Sequence, residues 1–185
     1  MRSLRGMELR PTADRLREAL FNVLTAGNPQ SLTGSTWLDL FAGTGAVGIE
    51  ALSRGAKQVI FVEAAAPAAR VIRQNLESLG ITAGITVSQG DVLKSLPKLN
   101  PISPFDFVFL DPPYDYTEGY ERTLQWLGET PNSGSTSVGP KTIVIAEHRK
   151  QVELGQEFGT LRCYRKLSQG DAALSFYRKA TDVGS

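Results

Sequence analysis

A chain of 185 residues, 41% hydrophobic and 21% charged, fits one globular domain with a real core; no apolar run nears the roughly 20 residues that span a bilayer, and the start MRSLRGMELRPTADR has no apolar signal stretch. One cysteine, Cys163, excludes an internal disulfide and, beside a single histidine, a Cys/His zinc cluster, so no metal and a reducing, cytoplasmic setting are expected. The net charge of +1 leaves partners open, but Arg2, Arg5, Arg10, Arg15 and Arg17 crowd the start, and Arg162, Arg165, Lys166, Arg178 and Lys179 the end, either as solvated surface or as contacts to nucleic-acid phosphates.

The first predicted helix runs from Thr12 to Thr25. Leu16, Ala19, Leu20, Val23 and Leu24 form its apolar stripe, with Thr12 as N-cap and Gly27 and Pro29 stopping it. Strands and helices then alternate. Thr36 to Phe41 reads as a strand, Ala46 to Arg54 as a short helix and Gln58 to Glu63 as a near-continuous apolar strand of the kind covered on both faces. Pro67 to Leu79 is a helix with Gly80 as its cap, and Ile85 to Val87 a short strand. Phe105 to Leu110 is a strand, Glu118 to Leu127 a helix, Asn132 to Pro140 a polar loop and Thr142 to Glu147 another buried strand. Leu161 to Leu167 and Ala173 to Lys179 are joined by Ser168-Gln169-Gly170-Asp171, a link too short for a crossover helix, so they form an antiparallel hairpin. The expected fold is α/β: a mostly parallel seven-stranded sheet with helices on both faces and the hairpin at its end. Ligands bind outside the carboxyl ends of such strands.

Three of those ends carry chemistry. Ala42-Gly43-Thr44-Gly45-Ala46-Val47-Gly48 follows the first strand and matches G-x-G-x-x-G, and Glu63 ends the next strand. Glycines allow close backbone approach to a ligand, and a carboxylate there can accept both ribose hydroxyls of an adenosine. This pattern suits a nicotinamide or flavin dinucleotide as well as S-adenosylmethionine, or a ligand-free turn. Asp91, after the third strand, can accept from an adenine amino group or merely form a turn. Asp111-Pro112-Pro113-Tyr114 follows the fourth. Two prolines fix φ and remove two donors, which holds the Pro112 carbonyl outward beside the Asp111 carboxylate. Two acceptors and the flat face of Tyr114 suit a planar ring bearing an NH2 group; the bland alternative is a rigid turn with a packed tyrosine. His148 reads as structural, and Cys163, mid-strand with no identifiable base, gives no nucleophile.

LDLFAGTG, FVE, QGD and LDPPY, in that order, resemble class I (Rossmann-like) methyltransferases of exocyclic amines. The block Leu9-Arg10-Pro11-Thr12-Ala13-Asp14-Arg15-Leu16-Arg17-Glu18-Ala19-Leu20-Phe21-Asn22, with Ala51-Leu52-Ser53-Arg54-Gly55-Ala56, resembles the RsmD family, bacterial and plastid enzymes that methylate guanine N2 in 16S ribosomal RNA. The likeness runs from about Leu4 to about Tyr177. It implies S-adenosyl-L-methionine as cofactor, with Asp39, Phe41, Gly43, Thr44 and Gly45 around its methionine and ribose. Glu63 with Ala64 would hold the ribose hydroxyls, and Asp91 with Val92 the adenine. Arg10 and Thr12 belong to an element closing over the cofactor, within a basic segment and helix at 1–30 that precedes a methyltransferase region at 31–180. Asp111, Pro112, Pro113 and Tyr114 would be catalytic, and Arg2, Arg5, Arg15 and Arg17 would hold RNA. The implied partner is 16S RNA or an assembling small subunit, met by a monomer in the cytoplasm or a plastid stroma. Alternatives are adenine-N6 or protein-glutamine methylation, whose enzymes usually carry Asn at the place of Asp111. A nicotinamide-dependent oxidoreductase would leave Asp-Pro-Pro-Tyr without a job.

Overall fold

The computed structural model describes residues 11–99, 103–113, 115–129 and 137–180, without the side chains of 11–13 and 117. Among the described residues, five helices, α1 (Pro11–Thr25), α2 (Ala46–Ser53), α3 (Ala66–Ser78), α4 (Val92–Ser95) and α5 (Thr117–Gly128), surround one sheet. Its strands are β1 (Thr36–Leu40), β2 (Gln58–Glu63), β3 (Ile85–Gln89), β4 (Phe105–Leu110), β5 (Val138–Arg149), β6 (Glu157–Phe158), β7 (Leu161–Gln169) and β8 (Ala172–Lys179). Their spatial order is β3-β2-β1-β4-β5-β8-β7-β6. β1 to β5 pair in parallel, and β8, β7 and β6 add antiparallel. The chain steps from β1 outward to β2 and β3, then returns to the other side of β1 for β4. That reversal opens a crevice above the ends of β1 and β4, where such sheets take ligands.

Period-two alternation divides the core between the two faces. Leu38, Leu40, Val108, Leu110, Val144 and Ala146 pack on one side with Tyr120, Leu124 and Leu127 of α5. Trp37, Phe61, Phe107, Phe109, Ile145 and Phe176 pack on the other with Leu16, Leu20 and Phe21 of α1. Hence α1 shares its core with the sheet.

The structure corrects three expectations. The sheet has eight strands rather than seven, because β6 adds a two-residue edge too short to show alternation. β5 begins at Val138, inside the expected polar loop. Thr142 Oγ1 accepts from Gly139 N–H and donates to the Phe105 carbonyl, tying that stretch to β4 across a register shift, an irregularity that accommodates Pro140. Thr12 lies within α1, which already includes Pro11, so it is no N-cap; proline is tolerated there because the first-turn N–H has no intrahelical partner. One turn of helix, α4, and a 3-10 turn (Leu96–Lys98) also fill the stretch after β3, to which the sequence assigns no element.

Candidate active site

At the end of β1 the backbone turns left-handed in succession, with φ of 56° at Phe41, 55° at Gly43 and 77° at Gly45. Phe41 is the one non-glycine with positive φ among the described residues, a strained state of the kind that gathers at ligand sites. A Cβ on Gly43 would project into open space, whereas one on Gly45 would press on Ile72 and Phe61. The loop therefore packs on one side and leaves bare backbone on the other. Asp39, 2% exposed, accepts from Gly48 N–H at 3.0 Å at the start of α2. Burial pushes its carboxyl up to about 8; the Gly48 bond opposes this and the Glu63 charge adds to it.

Glu63 bridges two loops. Its carboxylate accepts from Gly43 N–H and from Ala65 N–H, each at 2.8 Å. Each carboxylate oxygen keeps a second lone pair, so it can still take ribose hydroxyls. Asn75 donates to the Thr44 carbonyl at 3.1 Å and fixes the loop from α3. Asp91 caps α4, accepting from Lys94 N–H at 3.0 Å through Oδ1. That bond holds the carboxylate at the end of β3 with acceptor sites left over. Val92 is buried, so its side chain belongs to the core. Bare backbone at Gly43, a ribose acceptor and an adenine-side acceptor together fit an adenosine-containing cofactor.

Asp111 follows β4, and its N–H still reaches the Leu40 carbonyl at 3.4 Å, so the acceptor loop leaves the sheet beside β1. The Pro112 carbonyl accepts from the buried Tyr120 hydroxyl at 3.3 Å, which orients it from α5. Phe41 meets Tyr116 edge-on, ring centroids 6.3 Å apart, joining the two loops. Leu110 pairs with Ala146, so Asp111 and Glu147 are neighbours in register and face the same side as Asp39. Burial, then Glu147, then Asp39 raise the Asp111 carboxyl well above its ordinary range. Burial lifts Glu147 to about 7, opposed by the positive charge of Arg17 on α1.

The crevice thus gathers Asp39, Phe41, Gly43, Thr44, Gly45, Glu63, Ala64, Asp111 and the Pro112 carbonyl, with Asp91 at the end of β3; Pro113 is exposed just beyond. Tyr114, Arg2, Arg5 and Arg10 lie outside the described residues, as does the Thr12 side chain. Arg15 is exposed on α1. Arg17 is engaged within the protein, paired with Asp14 at 2.9 Å and near Glu147. His148 is structural: Nδ1 bonds the Arg149 carbonyl and Nε2 the Ser175 hydroxyl, each at 2.8 Å, and burial lowers its pKa. Two site residues went unassigned in the sequence. Glu147 closes the apolar run from Thr142 to Glu147 just as Glu63 closes that from Gln58 to Glu63, a signal present in the sequence; Tyr120 carried none, looking like any apolar-face tyrosine.

A family model described as Conserved hypothetical protein 95 matches residues 1–178. A protein of Bacillus subtilis carried as a candidate rRNA methyltransferase, YlbH, is 33% identical over 97% of this chain and 92% of its own length. Ribosomal RNA small subunit methyltransferase D of Haemophilus influenzae is 44% identical over 79% of this chain and 71% of its own. Among solved structures, the methylase candidate HI0767 of Haemophilus influenzae superposes with a TM-score of 0.72 at 30% identity, covering 92% of this chain and all of that one, 100%. The Escherichia coli methyltransferase candidate yhhF gives 0.75 at 26%, covering 94% and 92%. The fold is that of the class I methyltransferases.

Proposed function

Because the chain belongs to the RsmD family of ribosomal RNA methyltransferases, we propose that it methylates the exocyclic N2 amine of a guanine in 16S RNA, using S-adenosylmethionine. One observation carries the choice of acceptor: Asp111 and Pro112 leave β4 beside the end of β1, where Asp111 N–H reaches the Leu40 carbonyl and the Tyr120 hydroxyl fixes the Pro112 carbonyl. S-adenosylmethionine supplies, when bound, a methyl group on a sulfonium sulfur that needs no further activation. Gly43 offers it bare backbone, Glu63 the ribose acceptor and Asp91 the adenine acceptor.

The guanine amine is a poor nucleophile, because its lone pair is delocalised into the ring. Asp111 and the Pro112 carbonyl accept its two N–H bonds, and Tyr114 stacks on the base. Holding both hydrogens draws the nitrogen toward tetrahedral geometry and localises the lone pair. Most of the rate comes from alignment and preorganised acceptors. The base leaves its stack to reach this crevice. By the family likeness the element of Arg10 and Thr12 closes over the cofactor, and Arg2, Arg5 and Arg15 hold the RNA backbone. The working form in this reading is a monomer. The relatives reported are bacterial, which supports a cytoplasmic setting and gives the plastid alternative none.

The test is tritiated methyl transfer to ribosomal RNA and to 30S particles from a strain lacking the enzyme, with the modified base mapped. One N2-methylguanine in 16S RNA is expected. Label on adenine N6, or on a protein amide, would overturn the assignment.

A further inference from the structure

Glu147 is a carboxylate at the mouth of the site for which the mechanism above has no use. It stands in register with Asp111 on the adjacent strand, on the same sheet face, and neighbouring strands lie about 4.8 Å apart. Among the described residues, Asp111 just past β4 and Arg17 on α1 act on it, Asp39 on β1 acts on Asp111, and its β8 neighbour, Leu174, brings no charge. Two buried carboxyls this close do not both ionise readily, so the pair holds one proton. Arg17 decides where: its positive charge lies toward Glu147. The proton therefore rests on Asp111 and the negative charge on Glu147.

We propose that Glu147 acts through Asp111 as a positioning residue and as the final acceptor of the proton lost by the amine. The proposal rests on the methyl-transfer reading above. In the resting pair, Asp111 donates its O–H to Glu147 and turns its other oxygen to the substrate amine. As the nitrogen–methyl bond forms, the sulfur–methyl bond breaks and its electron pair stays on sulfur. The amine N–H bond breaks with its electrons left on nitrogen. That proton passes to Asp111, whose own proton moves to Glu147. Glu147 ends neutral, and nothing beyond cofactor and amine is consumed.

The rate of the single-turnover methyl transfer then requires Glu147 to be ionised, so it falls on the acid side with an apparent pKa near that of Glu147, about 7. Glu147→Gln leaves the relay no acceptor, and the rate falls roughly 100-fold or more, within the range of lost acid–base catalysis. Glu147→Asp restores part of it. Arg17→Ala removes the charge that favours ionised Glu147, so the acid limb moves to higher pH. A structural role would lower stability without moving that limb. An acid limb unmoved in Arg17→Ala, or full turnover in Glu147→Gln, would overturn the proposal. Carboxyl carbon-13 NMR of the free protein gives a reading that needs no RNA. The Asp111 resonance should change its titration in Glu147→Gln, and an unchanged one would also overturn the pair. An enzyme that shows this coupling but methylates no RNA would refute the substrate reading alone.

Discussion

Asp111 and Tyr120 hold the same acceptor loop by different means, and their substitution should separate chemistry from orientation. Asp111→Ala removes an acceptor that does not touch the adenosine side of the crevice. Cofactor affinity by calorimetry should largely survive while methyl transfer falls by orders of magnitude; undiminished turnover on the correct RNA would refute the role. Tyr120→Phe keeps the ring, packed on the α5 side of the core, and deletes only the donor to the Pro112 carbonyl. A neutral hydrogen bond of this kind is worth about 1 kcal/mol. The expected loss in methyl transfer is therefore roughly 2- to 10-fold, with cofactor binding unchanged, and an unaltered single-turnover rate would show that the carbonyl is oriented by the prolines alone. Glu63→Ala acts on the other side of the crevice. It removes the ribose acceptor and the anchor of Gly43 and Ala65, so cofactor affinity should fall before turnover does.

Two glycines of the G-x-G-x-x-G stretch, Gly43 in the loop and Gly48 in α2, serve different purposes at the scale of the element. A Cβ at Gly48 would sit 2.3 Å from the Phe61 ring, so its absence lets α2 lie down on β2. Gly48→Ala overpacks that contact and should cost about 1–3 kcal/mol by denaturant unfolding. Gly43→Ala meets nothing in the protein but imposes a side chain at a φ of 55°, a strain of roughly 1–2 kcal/mol. Its added methyl projects into the crevice, so the larger effect should appear in cofactor affinity, and an unchanged affinity would mean that the cofactor backbone contact lies elsewhere. Such elements were readable because β1, β2 and β4 are apolar runs ending in loops with chemistry attached. β5 exceeds its apolar run because Gly139 and Pro140 look like a turn in sequence, and the tie from Thr142 to Gly139 and Phe105 holds them in the strand. β6 and α4 span only about one period of their own patterns, so neither shows a repeat. Glu147 closes its apolar run in plain view, but its meaning depends on Asp111 and Arg17, which the fold brings near and spacing does not.

The whole molecule carries buried carboxyls at its ligand-binding end, and this makes its stability depend on pH in an unusual sense. Asp39 titrates at 3.8 when unfolded and at about 8 when folded. A carboxyl raised by folding binds its proton more tightly in the native state. Its contribution is thus complete below the unfolded value and is lost as pH rises through the folded one. Glu147, raised to about 7, and Asp111 act in the same direction. His148 opposes them only in acid, since its lowered pKa favours the native state above the unfolded value of 6.5. Between about pH 7 and 8 the carboxyls decide the sign, and each can contribute a slope of up to about 1.4 kcal/mol per pH unit. The cofactor-free protein should therefore lose stability across that interval. Asp39→Asn keeps an acceptor for Gly48 N–H but removes one titration, so its decline should be shallower. A cation brought into the crevice favours the ionised carboxyls, so S-adenosylmethionine should bind more tightly as pH rises through 7 to 8, and its sulfur-neutral product should do so less. Thermal unfolding and calorimetry at several pH values, with each ligand and without, measure all three. A decline equally steep in Asp39→Asn would remove Asp39 from the account, and equal pH dependence for the two ligands would mean that the sulfonium lies outside the reach of these carboxyls.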